Sequence, residues 1–401
     1  MTSYVDFLRE AAVSQRELDI FLDPREPSMA QFDSELGYIL NNNLSRDGIA
    51  GSQTIQTVDS HGARCVGPYA NLPCRINTYG DSFTQCAQVS DYETWQSYLA
   101  GHLGEPLRNW GVGGFGVCQA YRRLLRTERS SDGAEYVLLY LWGDDHHRSL
   151  LRCRHALTQR WWDSKGGRAF HGNFWCHLEM DLDSGSLVEV ENLLPTPESL
   201  YQMCDPDFMV EALRSDLMLQ LSAYCQGMID EIDLKAVRRL ADILGLPVSR
   251  SKVPARFTAA LGRLRDAYAF AASAHILDQA SDFYQQQGKK LLVVLFDPQV
   301  TRQLATYEPR YDQPVVAHLQ RRGYRYFDMN LAQVADFKCF NLPFEAYLKR
   351  YLIGHYNPAG NHLFAYALAP VLVDWLEPKP LTYQADKGEG QVSYERYLPT
   401  A

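Results

Sequence analysis

The chain has 401 residues, 46% of them hydrophobic and 22% charged, with 24 Tyr and 7 Trp spread along its length. That composition excludes a largely disordered chain and leaves room for one large domain or two modest ones, at roughly 100–200 residues each. With 39 basic against 48 acidic residues the formal charge is −9, and Lys and Arg gather only in short pieces such as Arg122, Arg123 and Arg126, which argues against a nucleic-acid partner because phosphate binding needs a basic face.

The first residues, MTSYVDFLREAAVSQREL, carry acids and lack the continuous apolar stretch of a secretory leader, and no run long enough for a membrane span occurs anywhere. A soluble protein of the cytoplasm is the expectation, with no membrane partner. Residues 1–74 contain FDSELGYILNNNLS and VDSHGARCVG and read as an N-terminal arm of short strands packed on the main domain. Five apolar runs then read as buried strands: 75–80, 106–112, 135–143, 289–298 and 324–329. Helical patterns separate them. In 91–104, Trp95, Leu99 and Leu103 recur at helical spacing, and 270–289 closes on Gly288. Strands alternating with helices predict a parallel α/β sheet. Residues 75–151 and 270–401 are its two halves. Between them lies an insertion, 152–269, opening with a hairpin around an Asp-Ser-Gly turn and continuing as helices, large enough to act as a lid.

The nine cysteines include no C-x-x-C pair, which argues against a disulfide framework or a zinc ribbon. In an open α/β sheet ligands bind where the strands end, so those ends hold the candidate chemistry. The first strand ends in Gly80-Asp81-Ser82-Phe83. The second leads into Asn109 and the GVGGFG loop, and the third into Asp144-Asp145-His146-His147-Arg148. Near the C-terminus, His355-Tyr-Asn-Pro-Ala-Gly precedes an apolar helix. Each piece alone has an ordinary reading. Gly-Asp-Ser is a turn, the glycines are a flexible loop, and Asn-Pro is a helix start. Carboxylate and imidazole side chains from Asp144 to His147 are also metal-ligand types, but four consecutive residues point in diverging directions, so no metal is expected. Trp161 and Trp162 read as core residues.

Taken together and in order, these four blocks resemble the SGNH (GDSL-type) hydrolase superfamily, over Ile76 to Leu368 with 152–269 unmatched. The resemblance implies a three-layer α/β/α sandwich around a five-stranded, mainly parallel, flavodoxin-like sheet. It implies a serine esterase or acyltransferase that needs no cofactor and acts on an acylated small molecule. Ser82 would be the nucleophile, His355 the base, and the Ser82 and Gly114 backbone N–H groups oxyanion donors. Asp81, Asn109, Asp145, His146 and Arg148 would line or bind the substrate. Two departures stand out. Asp144 occupies the place of the family's oxyanion asparagine, so it must be protonated, turned away or differently employed. Ile353 and Leu352 occupy the place of the acid that orients the histidine, leaving Asp328, Asp336 or Glu345 as substitutes, or a Ser-His dyad. His362 is the fallback base. The rival reading is a catalytically silent binding protein that keeps the pocket.

Overall fold

The computed structural model describes residues 2–26, 28–159, 170–248 and 254–384; Trp161 and Trp162 lie outside them. Five strands form the central sheet: β1 (Ile76–Tyr79), β2 (Arg108–Asn109), β3 (Tyr136–Trp142), β4 (Lys290–Phe296) and β5 (Tyr326–Asp328). Their order is β2-β1-β3-β4-β5 and every pairing is parallel, which is the flavodoxin-like order. Strand β3 sits at the centre, in register with β1 from Ile76↔Tyr136 and with β4 from Lys290↔Tyr136. Its sequence YVLLYLW is apolar without alternation because both of its faces are covered.

The two faces are separate cores. Val137, Leu139 and Leu141 pack toward helices α3 (Val117–Glu128) and α5 (Pro254–Gln286), while Tyr136, Leu138 and Tyr140 pack toward α2 (Trp95–Leu103) and α6 (Pro358–Trp375). This is a three-layer α/β/α sandwich. Two short helices join the strands to the site described below: α1 (Ser82–Gln85) after β1 and α4 (Gly143–Arg148) after β3.

The expected strands are found, each trimmed by a few residues. The expected hairpin pairs His177–Asp181 with Ser186–Val190. The helix expected over 270–289 starts at Pro254, so one continuous helix of 33 residues crosses the 269/270 boundary. Leu219, Leu221 and Leu261, from the expected insertion, share a core with Val137. The arm holds two helices, Tyr4–Arg9 and Gln15–Leu22, besides its hairpins Ala30–Asp33/Gly37–Leu40 and Asn43–Ser45/Thr54–Gln56. Leu36, Tyr38 and Leu40 are buried in the same core. Among the described residues no helix is long and apolar enough to cross a membrane.

Candidate active site

The strand order reverses between β1 and β3, and the crevice beyond their carboxyl ends is where an open sheet of this kind leaves room for a ligand. A cavity of about 560 Å³ opens there, lined among others by Ser82, Gln88, Gly113, Gly114, Asp144, Arg148 and His355.

Ser82 is placed by its neighbour. The Asp81 carboxylate caps α1, accepting the Phe83 N–H at 2.9 Å, so Ser82 is the first residue of the helix and its own N–H has no partner among the described residues. The α6 end is built the same way. Asn357 caps that helix through the Gly360 N–H at 2.9 Å, Pro358 follows it, and the turn before it presents His355. His355 Nε2 lies 2.7 Å from Ser82 Oγ, with the Phe83 ring 5.0 Å from the imidazole.

Among the described residues no carboxylate meets the ring nitrogens of this histidine. Gln88 does. Its Oε1 receives both the His355 backbone N–H at 2.8 Å and the Nδ1 position at 3.0 Å, while its Nε2 donates to the Asp47 carbonyl at 3.1 Å. Because the amide nitrogen is spent on Asp47, the oxygen must face His355, which puts the proton on Nδ1 and the lone pair of Nε2 toward the serine hydroxyl. Gly354 makes room for this contact. At φ +122 it holds a conformation side chains avoid, and a Cβ there would lie 2.6 Å from Gln88 Oε1. The acids considered as substitutes are engaged elsewhere: Asp328 with Arg310 and Asn330, Asp336 with Tyr347 and Tyr351, and Glu345 with Arg302. Burial first, and then the Arg148 guanidinium, push His355 down to about 4.

The glycine loop supplies a second donor. Tyr38 OH, from the N-terminal arm, donates to the Gly113 carbonyl at 2.8 Å. A trans peptide directs its N–H opposite to its C=O, so the Gly114 N–H points away from Tyr38, and among the described residues it too has no partner. Gln85 Oε1 takes the Gly113 N–H at 2.6 Å, and the Nε2 of the same side chain donates to Gln56 Oε1 of the arm. Gly114, at φ +87, is hemmed in by Tyr38 Oη and Arg154 Nη1, which a Cβ would meet at 2.6 and 2.8 Å.

Asp144 lines the cavity beside Arg148. Its side chain is 61% exposed and pairs with Arg148 Nη2 at 3.5 Å. Of the other residues expected to meet substrate, Arg148 lines the cavity, whereas Asp81, Asn109, Asp145 and His146 lie behind its wall. Asp81 caps α1. Asn109 receives the Gly111 N–H at 3.0 Å, and Asp145 takes the Trp142 N–H at 2.9 Å and Arg148 at 3.1 Å. His146 meets Ser273 at 2.7 Å, and its neighbour His147 meets Asp266 at 2.9 Å. The four consecutive polar residues thus diverge, as one helical turn requires, and among the described residues no group of three or more His, Cys, Asp or Glu could hold a metal ion. His362 is exposed on α6 against Tyr98 and stands outside the cavity.

Gln88, Tyr38, Arg154 and His171 were not legible as site residues. Tyr38 comes from the N-terminal arm and His171 from the stretch after α4, while Gln88 and Arg154 follow Ser82 and Arg148 by six residues each, and none sits in a motif.

No family model matches the sequence, and no curated protein matches it. Among solved structures the chain is similar to a member of the lipolytic protein G-D-S-L family from Veillonella parvula, at 10% identity and a TM-score of 0.35, over 75% of this chain and 98% of that one.

Proposed function

We propose that this protein is a serine-dependent ester hydrolase or acyltransferase acting on an acylated small molecule. The observation that carries the reading is the 2.7 Å contact of His355 Nε2 with Ser82 Oγ, with Nδ1 occupied by an acceptor that fixes the tautomer. In this reading Oγ attacks the acyl carbon as Nε2 takes its proton. The Ser82 and Gly114 N–H groups receive the oxyanion. The imidazolium then hands the proton to the leaving alcohol, and water or a second hydroxyl, deprotonated by the same nitrogen, attacks the acyl group and releases it from Ser82 as the imidazolium returns that proton to Oγ. Gln88 holds the ring through these steps with a dipole rather than a charge, so the imidazolium is less stabilised than beside a carboxylate.

That neutral partner is also what favours the second reading, a silent binding protein. A fluorophosphonate probe separates the two. Labelling at Ser82, abolished in Ser82→Ala and His355→Ala but kept in His362→Ala, supports acyl transfer; an unlabelled wild-type chain supports binding alone.

A further inference from the structure

The arm's second hairpin, Asn43–Ser45 with Thr54–Gln56, stands over the catalytic residues with two unlike faces. Side chains alternate along a strand. Leu44 and Ile55, opposite each other in register, are exposed, while Asn43, Ser45, Thr54 and Gln56 line the cavity. The two ends of the hairpin meet different parts of the site. Gln56 accepts from Gln85 Nε2 at 2.5 Å, and Gln85 holds the Gly113 N–H of the glycine loop. At the other end, beyond Ser45, the Asp47 carbonyl holds Gln88, the partner of His355. The Asp47 charge is felt at the imidazole, where it opposes that of Arg148. Asp47 also lines the cavity, exposed at its mouth. Thr54 donates to its Oδ1 at 2.6 Å, and among the described residues Oδ2 has no hydrogen-bond partner. Ser45 Oγ accepts from Asn43 Nδ2 at 2.6 Å, which leaves its own hydrogen to be donated.

We infer that this hairpin is the specificity element of the site and that it reads the leaving alcohol, which carries free hydroxyls beside the esterified one. The inference rests on the acyl-transfer reading for the identity of the scissile bond, and on the cavity wall alone for the hydroxyl-binding face. Proton delivery sets the side. To protonate the leaving oxygen His355 must lie within hydrogen-bond reach of it, so the alcohol sits on the His355 side of the cavity, where Ser45 and Asp47 stand. A hydroxyl both donates and accepts. It therefore matches a wall that sets the Asp47 carboxylate, an acceptor, beside the Ser45 hydroxyl, a donor. A plain alkyl alcohol would displace water from both groups and give nothing in return.

The test compares the full chain's turnover of glycerol 1-acetate and of propyl acetate, the same skeleton without the hydroxyls, each rate taken relative to that ester's hydrolysis in alkali. The kcat/KM value is expected to favour the glycerol ester by about fivefold to tenfold, the scale of one or two net hydrogen bonds. Asp47→Ala and Ser45→Ala should each bring that ratio toward one. Because the ratio is measured within a single variant, any loss of folded protein cancels. A ratio near one in the wild type, or a preference that survives both substitutions, overturns the inference. Should the wild type turn over neither ester, calorimetric titration of the Ser82→Ala chain with the same two compounds decides: tighter binding of the glycerol ester supports the hydroxyl-reading face, and equal binding overturns it. Fluorophosphonate labelling keeps the two ideas apart. A labelled Ser82 without preference for hydroxyls removes the specificity element alone, and preferential binding of the glycerol ester by a chain that resists the probe removes acyl transfer alone.

Discussion

Gln88 is the residue on which the proposed chemistry turns, because it decides the tautomer of His355. Burial, and then the Arg148 charge, hold the imidazole down to about 4, so the acid limb of kcat/KM should lie near that value and activity should persist through mildly acidic pH. Gln88→Glu places a negative charge against Nδ1. An opposite charge favours the protonated ring, so the limb should move upward by roughly one unit or more, read from a pH–rate profile on p-nitrophenyl acetate; an unmoved limb would show that Gln88 does not face the base in solution. Tyr38 makes a parallel case for the oxyanion. Its hydroxyl fixes the Gly113–Gly114 peptide from outside the cavity, so Tyr38→Phe frees that plane to turn. We expect kcat to fall about tenfold or more, below the roughly 10²–10³ of a lost donor, with KM little changed. A fall in KM-dependent binding alone would mean that the tyrosine serves packing only.

The loop after α1 is the element that carries Gln88, and its backbone is costly. Cys86 and Gln88 both adopt left-handed conformations, at φ 61 and 69, without being glycine. What holds it is Arg64 of the N-terminal arm, 1% exposed, which donates to the carbonyls of Gln85, Cys86 and Val89, each at 2.6 Å, and pairs with Asp91 at 3.1 Å. The arm that reads in sequence as packing is therefore also a clamp on the site. Lysine has one point charge where arginine has a fork. Arg64→Lys should lower kcat by about tenfold to a hundredfold, the scale of a small misplacement of a reacting group, and it should add little further loss in a Gln88→Ala background. Full additivity of the two would place Arg64 outside this chain of support. The four blocks that fixed the sequence reading each lie at an element's end because caps and turns are chemically specific. Asp81 is legible as part of a turn and Asn357 as a helix start for the same reason they are legible as site markers.

At the scale of the whole molecule, site and stability sit at opposite ends of the sheet. Where β1 and β3 begin, the buried Glu128 carboxylate collects Asn77 Nδ2 at 2.7 Å, Tyr79 OH at 2.8 Å, Lys289 Nζ at 2.7 Å and the Ala134 N–H at 2.8 Å. Removing one partner from a buried charged network strands the rest. Glu128→Ala should cost about 3–5 kcal/mol of stability in urea unfolding, while the kcat of the folded fraction stays at the wild-type value; a large loss of kcat would show that strain crosses the sheet.

The sequence by itself determined the sheet's strands and the places where they end, because apolar runs, helix caps and glycine turns are local and each leaves its mark within a few residues; the pairing of the serine after the first strand with a late histidine was only what the family resemblance implied. It could not show that an amide replaces the orienting acid. Gln88 precedes His355 by 267 positions, and a glutamine in a loop has no pattern that separates it from any other surface polar residue. Nor could it show which members of Asp144 to Arg148 face the cavity, since one helical turn spreads neighbours over all directions. Those choices belong to the tertiary structure. Burial makes His355 a weak base, the arm's Arg64 and Tyr38 fix two backbone segments they do not adjoin in sequence, and the crossing from β1 to β3 brings Arg148 and Arg154 to the same wall as Ser82.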